Sequence, residues 1–289
     1  MSDSPDPPRQ VKVAWFGFVR IIRALGEGRY RLADAVGLTA YLLQPGRRRR
    51  TVANHRRADP GASADVIRRR SRACFREYAR TMADFVWANG MPAAEVRRHS
   101  RVLGMEHVSP TLDAGRGGIL ALSHVGNWDM AANIALANGF SLTTVMAPLG
   151  PGLVTRLITW ARMRNQLEVF TPDRAARGLV RALRKGRFVA LLCDVSQGGP
   201  TVAVPYRGGR VDFSTVPAWL HLHTGAPLFP AVCCREAGGY VVRAYPPVSG
   251  GPGEDEAAVM GRVAEALEDG ARRHPEQWYP FGSVYADDA

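Results

Sequence analysis

A histidine and an aspartate five residues apart, His124 and Asp129, stand in the run Leu122-Ser123-His124-Val125-Gly126-Asn127-Trp128-Asp129. Imidazole is the side chain whose ordinary pKa lets it exchange a proton near neutrality. A carboxylate about one helical turn away can accept a hydrogen bond from one ring nitrogen. That fixes the tautomer and leaves the other nitrogen as a base. Such a base can take the proton of a hydroxyl as its oxygen attacks a thioester. Backbone N–H groups at a helix start are able to stabilise the oxyanion that forms. Gly126 would let backbone and substrate approach closely. The same residues also have a structural reading, in which His124 is a satisfied core histidine and Asp129 only favours a helix N-terminus. The residue types alone leave both open.

The elements around the run give it a setting. Gly118–Ser123 reads as a buried strand and Asn127–Asn138 as a helix ended by Gly139, so His124 falls where a strand stops and a helix starts. In α/β sheets that is where ligands bind. Downstream, apolar runs and helical stretches alternate. Strands are expected at 142–146, 168–170, 187–193, 201–205, 227–234 and 240–245. Helices are expected at 151–165, 174–185, 217–223 and 254–273. This alternation indicates an α/β fold, a central mixed sheet flanked by helices. Before it, Val11–Leu25 is a basic, aromatic amphipathic helix with Trp15, Phe16 and Phe18; Leu32–Leu43 is apolar; Ser63–Ala88 has helical spacing. The expected organisation is a disordered start over residues 1–10, a basic helical membrane-associating region over 11–116 and an α/β core over 117–285. Disorder is also expected in the tail Asp287-Asp288-Ala289.

Charge separates the two larger parts. Residues 1–116 hold 22 of the 38 Lys+Arg and 11 of the 26 Asp+Glu, a net of +11, whereas residues 117–289 net +1. The runs Arg47–Arg50, Arg56-Arg57 and Arg68–Arg70 follow an aromatic helix, which suits an anionic lipid surface. Nucleic acid is the competing polyanion, but no nucleic-acid-binding motif is present. No run of 18 apolar residues suggests a spanning helix, and the acidic, Pro-rich start is unlike a signal peptide. Cys74, Cys193, Cys233 and Cys234 form no CxxC pair and read as reduced thiols. No metal is expected: His221 and His223 lack a third spaced ligand and read as structural or surface side chains. The absence of G-x-S-x-G argues against a serine hydrolase, and no P-loop or dinucleotide fingerprint occurs in context.

The run HVGNWD after a strand resembles the H-x4-D signature of the glycerolipid acyltransferase superfamily, in particular the branch of lipid A lauroyl/myristoyl and phosphatidylinositol mannoside acyltransferases. The resemblance extends over residues 10–285. Asp194-Val-Ser-Gln-Gly-Gly resembles the family's acidic loop, and Thr201–Tyr206 the strand after it. Thr224-Gly-Ala-Pro-Leu-Phe-Pro230 resembles the block ending the core, and His274-Pro-Glu-Gln-Trp278 the C-terminal segment. Three departures bear on the acceptor: Pro205-Tyr-Arg-Gly-Gly209 stands where the family has FFG, Ala203 where the mannoside enzymes carry Glu, and Ser196 where D-x-D is common.

The resemblance implies a catalytic pair of His124 as base and Asp129 as its partner, with Gly126, Asn127, Arg164, Asp194 and Arg207 on the substrate side. Arg164 and Arg207 would face the acceptor's phosphate. The implied reaction moves a fatty acyl chain from acyl-CoA or acyl carrier protein, as co-substrate and with no cofactor, to a glycolipid hydroxyl. A phosphatidylinositol mannoside-like acceptor is favoured over a lipid A-type sugar or a lysophospholipid. The implied location is peripheral, on the cytoplasmic face of the plasma membrane. An apolar channel should reach His124, with Met130, Ile134, Leu149 and Leu153 as candidate walls. The alternative from another class is a non-catalytic basic protein binding anionic membrane or nucleic acid. Oligomeric state is left open.

Overall fold

The computed structural model describes residues 6–195, 198–250 and 253–288. The expected alternation forms around one mixed sheet in the order β1-β9-β8-β2-β5-β3-β4. Its strands are β1 (Ser100–Leu103), β2 (Ile119–Leu122), β3 (Leu142–Val145), β4 (Glu168–Phe170), β5 (Phe188–Leu192), β8 (Leu228–Glu236) and β9 (Gly239–Ala244). Neighbours run parallel except β8 and β9, which are antiparallel. The short β2 and β5 are apolar throughout because helices cover both faces. A separate antiparallel hairpin holds β6 (Thr201–Tyr206) and β7 (Gly209–Ser214). The sequence reading found β6 but not β7, whose polar Arg210 and Asp212 break the apolar run. Ala203 sits in β6 opposite Asp212; Ser196 lies outside the described residues, as does Gln197.

Helices α6 (Met105–Asp113), α7 (Trp128–Ala137) and α8 (Gly152–Arg164) cover one face, packing on Leu142, Phe188 and Phe229. Helices α9 (Pro172–Arg184), α10 (Val216–Thr224) and α11 (Glu256–Arg273) cover the other, packing on Ile119, Val189 and Leu228. The α7 start is fixed by Asn127, whose side-chain oxygen accepts from the Met130 N–H at 2.9 Å. Asp255 caps α11 in the same way.

The basic N-terminal region holds α1 (Arg9–Ala24), α2 (Gly28–Leu43), α3 (Pro45–Ala58), α4 (Ala64–Trp87) and the short α5 (Ala93–Arg98). It is built into the core: β1 extends the sheet beside β9, and Trp15, Val19, Ile22 and Phe85 share a cluster with Met130 and Ile134 of α7. Helix α3 escaped the sequence reading because it buries polar residues, Thr51, Asn54 and His55, which leave no apolar periodicity. Asn54 Nδ2 donates to the carbonyls of Pro280 and Gly282, both at 2.9 Å. Two expected disordered ends are in fact ordered in part. Arg9 and Gln10 already lie in α1. Near the tail, Arg57 donates to both carboxylate oxygens of Asp287 at 2.9 and 2.7 Å.

Candidate active site

His124 leaves the C-terminal end of β2, and Asp194 leaves the end of the adjacent parallel strand β5. Their carboxylate and ring meet at 2.7 Å, Nδ1 to Oδ1. The His124 backbone N–H also donates to the same carboxylate, at 3.0 and 2.8 Å to its two oxygens. Asp194 is therefore an acceptor held by two strand ends, and the ring orientation follows from the sheet. With Nδ1 carrying the proton toward Asp194, Nε2 is the basic nitrogen, and it has no protein partner among the described residues. The His124 side chain is 25% exposed and Asp194 only 5%. The ring lies edge-on to Trp128 at 5.0 Å, and Trp128 in turn to Tyr279 at 6.2 Å.

The expected hydrogen bond from His124 to Asp129 is replaced. Asp129 is claimed by Arg162 of α8, whose Nε and Nη2 reach its two oxygens at 2.7 and 3.1 Å. A hydrogen bond across one helical turn needs both residues on one helix. The helix begins only at Trp128, with Asn127 as its cap, so His124 lies before it in a separately bent segment. Gly126 makes that bend, with φ +68°. A Cβ there would come within 2.0 Å of the Cys233 carbonyl oxygen, so only glycine fits. The Asn127 N–H donates to that same oxygen at 2.7 Å. Gly126 thus serves an approach to β8, not to substrate.

The C-terminal segment completes the mount. The Gly126 N–H donates to the Gln277 carbonyl at 2.7 Å, and Val125 bridges to Trp278. Gln277 clamps β8 as well, accepting from the Arg235 N–H and donating to the Arg235 carbonyl. From below, Asn127 Nδ2 donates to the Tyr240 hydroxyl at 3.1 Å, which donates to Asp84 at 2.5 Å. Asp84 also takes Arg29 Nε at 2.8 Å and the Tyr30 hydroxyl at 2.9 Å. This buried chain ties α2 and α4 to the loop.

His124 opens onto a cavity of about 1020 Å³ with mostly apolar walls, lined near its ring by Trp128, Asp129, Arg162 and Tyr279. Of the expected walls, Ile134 and Leu149 line it. Met130 instead faces the α1–α4 side in the core, and Leu153 is exposed. The expected basic residues are placed elsewhere. Arg164 stacks on Phe16 at 4.6 Å, because residues two apart on a helix point in different directions and it is Arg162 that faces the cavity. Arg207 is buried behind the site over the Trp278 ring, 5.2 Å from its centre. Gly126 and Asn127 do not line the cavity either. Arg162 was not singled out in the sequence; it stands two residues before the expected Arg164. The sequence reading placed Asp194 in an acidic loop without pairing it to His124; both end buried strands, which was the available signal.

A family model described as bacterial lipid A biosynthesis acyltransferase matches residues 6–282. The chain belongs to that family. This acyltransferase is 28% identical over 264 residues to the phosphatidylinositol mannoside acyltransferase of Mycolicibacterium smegmatis, covering 90% of this chain and 86% of the relative. Its likeness to the protein of that name in Mycobacterium tuberculosis H37Rv is 30% over 266 residues, with 89% and 83% covered. To the lipid A biosynthesis lauroyltransferase of Escherichia coli K12 it is 26% over 196 residues, with 65% and 62% covered. An acyltransferase, and not a non-catalytic basic protein, is what the family and the relatives' names establish.

The acyltransferase has no helix, among its described residues, long and apolar enough to cross a membrane. Its four cysteines are buried free thiols. His221 and His223 are both accounted for by backbone carbonyls, with Nδ1 of each donating to Ala226 at 2.8 Å and Trp219 at 2.9 Å respectively.

Proposed function

We propose that this acyltransferase moves a fatty acyl chain from a thioester donor to a hydroxyl of a glycolipid, phosphatidylinositol mannoside-like, with His124 as general base. The observation that carries this is the His124 ring, its Nδ1 held by Asp194 at 2.7 Å, opening onto an apolar cavity. Nε2 takes the acceptor's proton as the oxygen forms its bond to the thioester carbonyl carbon. The carbonyl π pair moves onto oxygen. Collapse of that intermediate breaks the C–S bond, and the departing thiolate takes the proton back from the imidazolium, leaving ester and free thiol. Asp194 orients the ring and stabilises its charged form. The first expected oxyanion donors are committed elsewhere, since the N–H groups of Gly126, Asn127 and Met130 already bond Gln277, Cys233 and the Asn127 side chain. Apolar walls suit the alkyl chain, each methylene removed from water contributing about 0.8 kcal/mol.

The working location is the cytoplasmic face of the membrane, peripherally bound. Helix α1 buries Trp15, Val19 and Ile22 but exposes Val13, Phe18 and Ile21; α2 exposes Leu32, Val36, Leu42 and Leu43. The arginine-rich α3 follows directly. An apolar patch beside many cations matches an anionic bilayer surface. The two mannoside-enzyme relatives covered over most of their length favour that acceptor over a lipid A-type sugar or a lysophospholipid.

Purified enzyme with labelled palmitoyl-CoA should be offered phosphatidylinositol mannoside, a lipid A precursor and a lysophospholipid in parallel. The reading expects label on the mannoside, lost in His124→Ala. Label on another acceptor would move the acceptor assignment, and label retained in His124→Ala would overturn the mechanism.

A further inference from the structure

In the run that stands where the family has FFG, Tyr206 and Arg207 are both polar and buried. They lie behind the His124–Asp194 pair. The hairpin is tied there by the Ser214 N–H, which donates at 2.8 Å to the carbonyl of Cys193, the residue before Asp194. Side chains alternate along a strand. Leu120, Leu122 and His124 line the cavity, so Ala121 and Ser123 face the other way, toward the cluster that holds Tyr206 and Phe213. The Tyr206 ring is fixed edge-on to Phe213 at 5.2 Å and to Trp278 at 6.5 Å. The Arg207 guanidinium covers Trp278 at 5.2 Å.

Ser123 Oγ, Tyr206 Oη and Arg207 Nε are buried without a hydrogen-bond partner among the described residues. A buried hydroxyl in that state costs free energy unless a water completes it. Tyr206 Oη nevertheless feels its neighbours. Burial and then the Asp194 carboxylate push its pKa well up, while the Ser123 hydroxyl and the Arg207 cation pull it down. Tyr206, Ser123 and Asp194 are thus close enough to act on one another, and the two hydroxyls are too far apart to bond directly. One water spans such a gap.

We infer that Tyr206 and Ser123 hold one internal water against the back of Asp194, with the Arg207 cation behind them, and that this group sets the pH at which His124 becomes a free base. This rests on the reading of His124 as the base of acyl transfer and extends it from the pair to its support. Tyr206, Ser123 and Arg207 are positioning residues, since none of them lines the cavity. A donor on Asp194 and a cation near it draw off negative charge that would otherwise stabilise the imidazolium. The free ring is then available at lower pH. Without them Asp194 holds the proton on His124 to higher pH. Facing His124 from other elements are the Asp129–Arg162 pair of α7 and α8, Tyr78 of α4, Tyr279 and, farther along the cavity wall, Glu256 of α11. The Cys193 thiol stands near Tyr206. None of these changes in the test variants.

Nitrogen NMR of the full-length, histidine-labelled protein reads the His124 titration without turnover, the signal being assigned by its loss in His124→Ala. The dependence of kcat/KM on pH, with palmitoyl-CoA and phosphatidylinositol mannoside, reads it with turnover. Tyr206→Phe keeps the ring and should fold. It should raise both midpoints by about half a pH unit, the size of one hydrogen bond lost beside a charge, while the melting curve and most of the high-pH plateau are retained. Ser123→Ala should move them the same way, and the double variant no further than either alone, because one water needs both hydroxyls. Arg207→Met should also raise them, and Arg207→Lys, which keeps the charge, should bring them back. Unmoved midpoints in folded Tyr206→Phe and Ser123→Ala would overturn the inference. So would a loss of rate equal at every pH, the mark of a merely structural role. If the NMR midpoint moves as expected but the native protein acylates no lipid, the proposed function fails while the support of Asp194 stands.

Discussion

At the scale of single residues, the two carboxylates near His124 have different tasks. Asp194 orients the ring; Asp129 neutralises Arg162, with side chains only 8% and 14% exposed. Asp129→Asn should therefore act first on stability. Removing one partner of a buried pair leaves an uncompensated charge, which costs about 3–5 kcal/mol. Urea unfolding should show that loss, and Asp129→Leu/Arg162→Met should recover most of it. A stable Asp129→Asn with abolished turnover would instead put Asp129 in the chemistry. The histidine was legible in the sequence because type, spacing and strand end all converged on it. Its true partner was not, because Asp194 is 70 residues away and comes close only through the pairing of β2 with β5.

At the scale of elements, α1 and α2 are half core and half surface. Truncating residues 1–46 would expose the cluster around Ile22 and break the buried Arg29–Asp84 pair, so it is no clean test of membrane contact. Ile21→Glu/Val36→Glu/Leu43→Glu changes only side chains 59%, 55% and 75% exposed. In flotation with anionic liposomes this variant should stay in the dense fraction while the native protein floats, its thermal unfolding unaltered. Equal flotation of both would remove α1 and α2 from the membrane-contact account. The core's alternation was readable because parallel strands are apolar runs and their helices end at glycines such as Gly139 and Gly186. Helix α3 was not, since Asn54 and His55 pack through hydrogen bonds and ring edges that carry no hydrophobic period. The placement of β1 likewise depends on pairing with β9, far downstream.

At the scale of the whole molecule, acid should loosen the junction between the basic helices and the core. His55 is fully buried, edge-on to Trp278 at 5.3 Å, with neither ring nitrogen bonded among the described residues. Burial, then the charges of Arg70 and Arg207, lower its pKa to about 3. Between the ordinary value near 6.5 and about 3, the unfolded chain binds a proton that the native one refuses. Stability attributable to His55 is thus complete above about 6.5 and falls as pH drops toward 3, by up to about 5 kcal/mol. Urea midpoints at pH 7.5 and 4.5 should differ less in His55→Leu than in the native protein; an identical difference would contradict the assignment.

The central claim is that His124, oriented by Asp194, catalyses acyl transfer to a glycolipid. Its most direct test is the kcat of folded Asp194→Asn beside the native enzyme, with palmitoyl-CoA and phosphatidylinositol mannoside. The asparagine retains the size of the side chain but removes the charge that stabilises the imidazolium. The account predicts a loss of about 100- to 10,000-fold with KM little changed. Native-like kcat in Asp194→Asn would contradict it.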